Sequence, residues 1–320
     1  MDEFGKTIDE TCPHCGEAVR ENWKFCPACE APLGYVCPQC QRPAKENWKR
    51  CPECEARIVC RSCGRRIQSG HAGCEACSGG IKPTDPPEKS LIEPVTGIEF
   101  VAIPRGSYMM GDLFDEGLEN EKPAHDVRLD RFYIGKYPVT QRQWHGLMPE
   151  NNSRFQGDTL PVEQVTWDEV QIFIKRISEA VSSDYRVDLP TEAQWEYAAR
   201  SGGRNEMYAG SDTADPVAWY DENSSSTTHP VGMKAPNGLG LYDMCGNVWE
   251  WCRDNFKSDA YRHHKRENPA VVGPGRDRVI RGGGWNVDSW SVRCARRSNL
   301  PRELYGPGLG FRLVLTVRES

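Results

Sequence analysis

Twelve of the fifteen cysteines lie between Cys12 and Cys77, and they constrain this chain more than any other feature. They form six CxxC pairs: Cys12 with Cys15, Cys26 with Cys29, Cys37 with Cys40, Cys51 with Cys54, Cys60 with Cys63, and Cys74 with Cys77. Ten residues separate the two pairs of each successive set. A CxxC turn aims two thiolates at one point, and a second such turn completes a tetrahedron around zinc. Proline follows the first cysteine at Pro13, Pro27, Pro38 and Pro52 and stiffens those turns. Gly16 and Gly64 follow the second cysteine, where a positive φ is useful. Glu21-Asn22-Trp23-Lys24 and Glu46-Asn47-Trp48-Lys49 each precede a CPxC, so the first two units are an internal repeat. The twelve cysteines are expected to hold about three structural zinc ions. Consecutive and interleaved pairing of the CxxC turns both satisfy the spacing.

This is the spacing of zinc ribbons, which often serve nucleic acids. The charge argues otherwise. Residues 1–80 contain 11 Lys/Arg and 11 Asp/Glu, and twelve thiolates with three Zn²⁺ leave a further net −6. Nucleic-acid binding needs a positive surplus. The cluster Arg57, Arg61, Arg65, Arg66 is the sole basic candidate and reads as a solvated face. Protein docking suits the module better.

No run of 18 apolar residues is present, so no membrane span is expected. The acidic, polar start Met1-Asp2-Glu3-Phe4 lacks the pattern of a secretory signal. Reduced thiols and metal ligation then fit a cytoplasmic protein. Residues 81–94, with Pro83, Pro86, Pro87 and Pro94, read as an extended linker. A larger domain is expected over 95–320.

That domain opens on the alternating Ile98-Glu99-Phe100-Val101-Ala102-Ile103, a strand, and a second strand fits Arg131–Ile134. Three helices share a Thr-x-x-Glu/Gln start: Thr140 with Gln143, Thr166 with Glu169, and Thr191 with Gln194. In the second, Val170, Phe173, Ile174, Ile177 and Val181 make one apolar face. The third is expected to stop at Gly202-Gly203. Beyond it the chain is rich in Gly, Asn, Trp and Arg, a pattern of short strands and long loops.

Residues 95–320 resemble the sulfatase-modifying-factor family, whose founding members are formylglycine-generating enzymes. The landmarks include Phe132-Tyr133-Ile134-Gly135 through Thr140 and Leu189-Pro190-Thr191-Glu192-Ala193-Gln194-Trp195-Glu196-Tyr197. They continue with Gly246-Asn247-Val248-Trp249-Glu250-Trp251, Arg281-Gly282-Gly283-Gly284-Trp285 and Gly310-Phe311-Arg312. The resemblance implies an α+β, C-type-lectin-like fold. It does not extend to the zinc module.

The family's enzymes oxidise a substrate cysteine with O₂, using copper held by two cysteines shortly after the RGGS motif. Soft thiolates suit Cu(I). Here Val287 stands at the first cysteine's place, and the second falls near Ser291 or Val292. Cys294 comes too late to be either. Cys245 and Cys252 bracket a different loop and read as small buried hydrophobes. The resemblance therefore implies a lost copper site and no oxidase. The family also implies a calcium site at Asp243, Gly246, Val248 and Glu250. Ser224–Pro230, the counterpart of a second calcium loop, supplies no acid.

The same fold serves in variable proteins of diversity-generating retroelements, whose segment from RGG to GFR binds ligand. Residues 285–309 correspond to it. The candidate contacts for a protein or small ligand are Trp285, Asn286, Val287, Asp288, Ser289, Trp290, Ser291, Ser298, Asn299, Leu300 and Tyr305. Exposed aromatics among small polar residues suit recognition, and a core role for several of them fits the residues equally. Trp285, Arg293, Arg297 and Arg312 also match framework positions. The segment is compatible with retroelement diversification and equally with a fixed binder. The competing expectation is a formylglycine-generating-type oxidase, or a related redox enzyme with altered metal ligands, for which His263 and His264 are candidate donors.

Overall fold

A computed structural model describes residues 10–11, 18–19, 90–179, 181 and 185–317. The chain divides into two units, Met1–Pro86 and Pro87–Ser320. In the first, strand β1 (Glu10–Thr11) pairs antiparallel with β2 (Ala18–Val19). The expected zinc ligands all lie outside the described residues. They are Cys12, Cys15, Cys26 and Cys29 of the first four-cysteine set, Cys37, Cys40, Cys51 and Cys54 of the second, and Cys60, Cys63, Cys74 and Cys77 of the third. The geometry of the three sites, and the choice between consecutive and interleaved pairing, lie outside them too.

The second unit continues with strands β3 (Ser90–Ile92), β4 (Glu99–Ile103), β5 (Gly106–Met110), β6 (His125–Leu129) and β7 (Phe132–Gly135). Helices α1 (Gln141–His145) and α2 (Trp167–Ser178) follow, then β8 (Tyr185–Asp188) and helix α3 (Glu192–Ala199). The remaining strands are β9 (Ala218–Trp219), β10 (Cys245–Gly246), β11 (Trp249–Asn255), β12 (Asp277–Arg281), β13 (Arg297–Pro301), β14 (Leu309–Gly310) and β15 (Val314–Val317). The segment read as linker thus contributes structure: Ser90–Ile92 pairs antiparallel with Glu99–Val101 and extends the sheet. Prolines dominate residues 83–87, whereas Ser90-Leu91-Ile92 has free N–H groups to donate.

Five antiparallel strands form one sheet in the order β3-β4-β7-β15-β8, so the domain's two ends meet in it. A second sheet runs β13-β12-β11-β14. The hairpin β5-β6 and the short parallel pair β10-β9 complete the α+β architecture.

All three helices begin as expected. At each, the threonine hydroxyl accepts the N3 backbone N–H, and the N3 Gln or Glu accepts the threonine's own N–H. Each box satisfies two otherwise orphaned donors and contributes about 1 kcal/mol. Helix α2 buries Val170, Phe173, Ile174 and Ile177. Phe173 stacks on Trp144 with centroids 5.3 Å apart, and Phe311 meets both edge-on. This aromatic core fills one side of the domain. A second core surrounds Trp195 and Tyr197 of α3, whose helix is buried on nearly all faces.

Candidate functional site

The 285–309 segment is held at both ends by the second sheet. Strand β12 ends at Arg281, and Gly282 and Gly283 turn the chain with φ of +92° and +73°. A Cβ on Gly283 would sit 2.5 Å from Val292 Cγ1, so this turn needs glycine. Asp288 then caps a short 3-10 turn over Ser289–Val292, accepting the Ser291 N–H at 2.9 Å. Strand β13 returns along β12 in register from Arg281↔Arg297 to Asp277↔Pro301.

Beneath the segment lies a buried ionic lattice. Arg281 donates to Glu192 at 3.0 Å, to Glu196 at 2.5 Å, and to the carbonyls of Cys294 and Ala295. Arg297 donates to both Glu192 oxygens at 2.7 and 2.8 Å, and Arg200 to Glu196 at 3.0 Å. Burial alone would raise the Glu192 carboxyl, but the Arg297 and Arg281 guanidiniums hold it below the usual range. Arg293 reaches Glu121 at 3.1 and 3.3 Å, tying the segment to the 112–121 loop.

The candidate ligand contacts separate into two groups. Trp285 is only 7% exposed, and its ring meets Phe155 edge-on at 5.5 Å, with the Arg154 guanidinium over both rings. Trp290 is half-buried: its indole N–H donates to the Glu116 carbonyl at 3.0 Å, and Arg293 covers its ring at 4.4 Å. Val287 packs against the α3 core and Leu300 against the aromatic core. Ser289, Ser291, Ser298 and Asn299 are partly exposed. Asn286 and Asp288 are exposed or partly so, and Tyr305 is 60% exposed beside Leu304 at 46%. Of the two readings left open for these aromatics, recognition or core, Trp285 takes the core one, Trp290 is half-covered as an anchor, and Tyr305 faces solvent. Sequence could not separate them, because their partners Glu116, Arg154 and Phe155 come from distant loops. Glu163, also unforeseen, is fully buried and accepts the N–H groups of Arg154, Phe155 and Gly308 below Trp285.

The Asp243–Glu250 loop is a second centre. Gly246, at φ +75°, brings its backbone so close to β9 that a Cβ would collide with the Trp219 carbonyl oxygen. Glu250 takes the Trp195 indole N–H and two Arg312 N–H groups, all at 2.7 Å. Asp243 accepts the Gly232 N–H at 2.7 Å and the Asn247 amide at 3.4 Å. Burial pushes the Asp243 carboxyl up to about 6, against the pull of Gly232 and Arg312. Arg312 is thus committed to Glu250, and an ionised Asp243 lacks a cation of its own. Its carboxylate is a hard oxygen donor of the kind calcium takes, whereas the Gly246 carbonyl accepts the Val248 N–H at 2.9 Å.

Cys245, Cys252 and Cys294 are fully buried free thiols. Burial raises Cys252 and Cys294 well above the ordinary thiol range. Of the two candidate histidine donors, His263 is exposed and stands 3.4 Å from Asp259. The solvated-loop reading is corrected for His264, which is half-buried, with its Nδ1 3.1 Å from His125 Nε2. Its partner lies on β6, 139 residues away in sequence, so local composition gave no sign of it.

Residues 88–317 match the sulfatase-modifying factor enzyme 1-like domain, and residues 12–55 match the double zinc ribbon. A chaperone protein, LppX, of Paenibacillus barcinonensis is 34% identical over 239 residues, 59% of this chain and 81% of that protein. A formylglycine-generating enzyme of Streptomyces coelicolor is 30% identical over 283 residues, 66% of this chain and 87% of the enzyme. Among solved structures, variable protein 1 of Treponema denticola superposes with a TM-score of 0.63 at 29% identity. It covers 72% of this chain and 99% of its own. The fold is the C-type-lectin-like fold of these proteins.

Proposed function

This chain belongs to the sulfatase-modifying factor enzyme 1-like family, and we propose that it is a non-catalytic, ligand-binding member of it, with a zinc-ribbon module as its docking half. One observation carries this reading. The segment that follows the RGG turn presents Asn286, Asp288, Leu304 and Tyr305 to solvent, with Val287 where the enzymes place a copper cysteine. The domain's three thiols are buried, and burial holds Cys252 and Cys294 protonated. A rigid floor of paired arginines and anchored tryptophans under a few exposed side chains is what a recognition surface needs. The likeness to the Treponema variable protein supports the same use of the segment. The ligand is a protein or small molecule met through residues 286–305.

The metals follow the same reading. The twelve cysteines from Cys12 to Cys77 hold three zinc ions. The matched double ribbon covers the first eight ligands, from Cys12 and Cys15 to Cys51 and Cys54. The remaining four, Cys60, Cys63, Cys74 and Cys77, repeat its spacing. Calcium is proposed at Asp243, where it would add countercharge; of the other expected ligands, Glu250 is already taken up by Arg312 and Trp195, which leaves the backbone of Gly246 and Val248 to supply donors.

The 30% identity to the Streptomyces enzyme supports a second reading, an oxidase with altered ligands. Metal analysis and turnover separate the two. The purified chain should hold about three zinc ions and no tightly bound copper, and should convert no cysteine peptide to an aldehyde. Copper-dependent turnover would overturn the binder.

A further inference from the structure

Strand β6 opens on His125, and the loop after β11 brings His264 against it. His125 Nδ1 lies 3.1 Å from the Pro123 carbonyl oxygen. A carbonyl only accepts, so Nδ1 carries the proton and Nε2 keeps its lone pair. That Nε2 faces His264 Nδ1 at 3.1 Å. His264 Nδ1–H therefore donates to it in the metal-free chain, and a metal would take that proton's place; His264 Nε2, which would then carry the proton, is buried and finds no partner among the described residues.

Two nitrogens bound to one metal at about 2.0–2.1 Å stand about 2.9 Å apart at a right angle and about 3.4 Å apart in a tetrahedron. The observed 3.1 Å falls between these limits. The carbonyl behind His125 Nδ1 is the outer partner that orients a metal-bound imidazole and sets its tautomer. The Tyr261 ring, with centroids 4.9 Å from His125 and 5.3 Å from His264, packs both rings in place. His264 also lines a cavity of about 720 Å³, shared with Lys257, Asp259 and His263.

We propose that His125 and His264 form a two-imidazole site for one divalent transition-metal ion. No group of three His, Cys, Asp or Glu converges there among the described residues, so water or an incoming donor fills the remaining positions. Neither imidazole belongs to the ribbon cysteine sets or to the Asp243 loop. It stands whether or not the recognition reading holds.

The test titrates the zinc-replete full chain with Ni(II) by calorimetry, while an indicator dye follows any zinc released. One Ni(II) per chain, bound without zinc release, is expected. His125→Gln and His264→Gln should each weaken binding by more than about tenfold, because even loss of an outer partner costs that much. His263→Gln should leave it unchanged. Should a variant fail to fold by circular dichroism, the unmutated Ni(II) form decides through hyperfine-shifted imidazole resonances from two histidines. The proposal is overturned by absence of saturable Ni(II) binding, by equal affinity in both folded glutamine variants, or by a Ni(II) form without those resonances.

Discussion

Asp243→Asn isolates the ionisation of one buried carboxyl. Asp243 titrates at about 6 in the folded chain against 3.8 for the free side chain, with burial as the main cause. The native state therefore holds its proton longer than the unfolded state does. Its contribution is neutral below about pH 4, grows unfavourable between about pH 4 and 6, where only the unfolded state is ionised, and is complete above about 6. Once both states are ionised, that difference amounts to about 3 kcal/mol. The asparagine carbonyl can still accept the Gly232 N–H, while the contact with the Asn247 amide is lost, at a cost of about 1 kcal/mol. In chelator at about pH 7.5 the variant should thus be more stable by about 2 kcal/mol. For a domain of this size that is about 4–8 °C in melting temperature. At about pH 4 the gain should vanish. Eight of the ten tryptophans lie within residues 95–320, so fluorescence-detected denaturation reports this domain. Millimolar calcium should raise the stability of the unmutated chain and leave the variant where it was. A variant less stable than its parent in chelator above neutrality would refute the reasoning, since the carboxylate would then already be balanced by its surroundings.

Three further outcomes are expected. Glu192→Gln removes a charge that Arg281 and Arg297 share in a dry interior, and should cost about 3–5 kcal/mol in denaturant titration. Thr166→Ala abolishes a complete capping box and should cost about 1 kcal/mol, seen as a drop of about 2–4 °C. Tyr305→Ala and Asn286→Ala, at solvent-facing positions, should leave stability within about 0.5 kcal/mol of the parent while weakening any ligand captured by the chain.

The helix starts were legible in the sequence because a capping box closes within four residues. Thr140, Thr166 and Thr191 each carry their partner at N3, and no distant residue is required. The apolar face of α2 was legible for the same reason, since its period is a property of the helix itself. The fold class came from ordered motifs spread along the domain, among them Gly246–Trp251 and Arg281–Trp285, and the family match agrees with that reading. The CxxC pairs likewise announced the ribbons by spacing alone.

Side-chain exposure in the recognition segment was decided only in three dimensions. Trp285, Trp290 and Tyr305 are similar as residues, and nothing in residues 285–309 ranks them. Two are covered chiefly because Arg154 with Phe155, and the Glu116 carbonyl, come from elsewhere to meet them. Asp243 took its raised titration from burial under loops far along the chain. His264 gained a partner only because β6 runs past the loop after β11. Local hydrogen bonds and metal-ligand spacing are written along the chain. Burial, charge pairing and the meeting of distant imidazoles depend on tertiary contacts, and these determine which side chains remain free to meet a ligand.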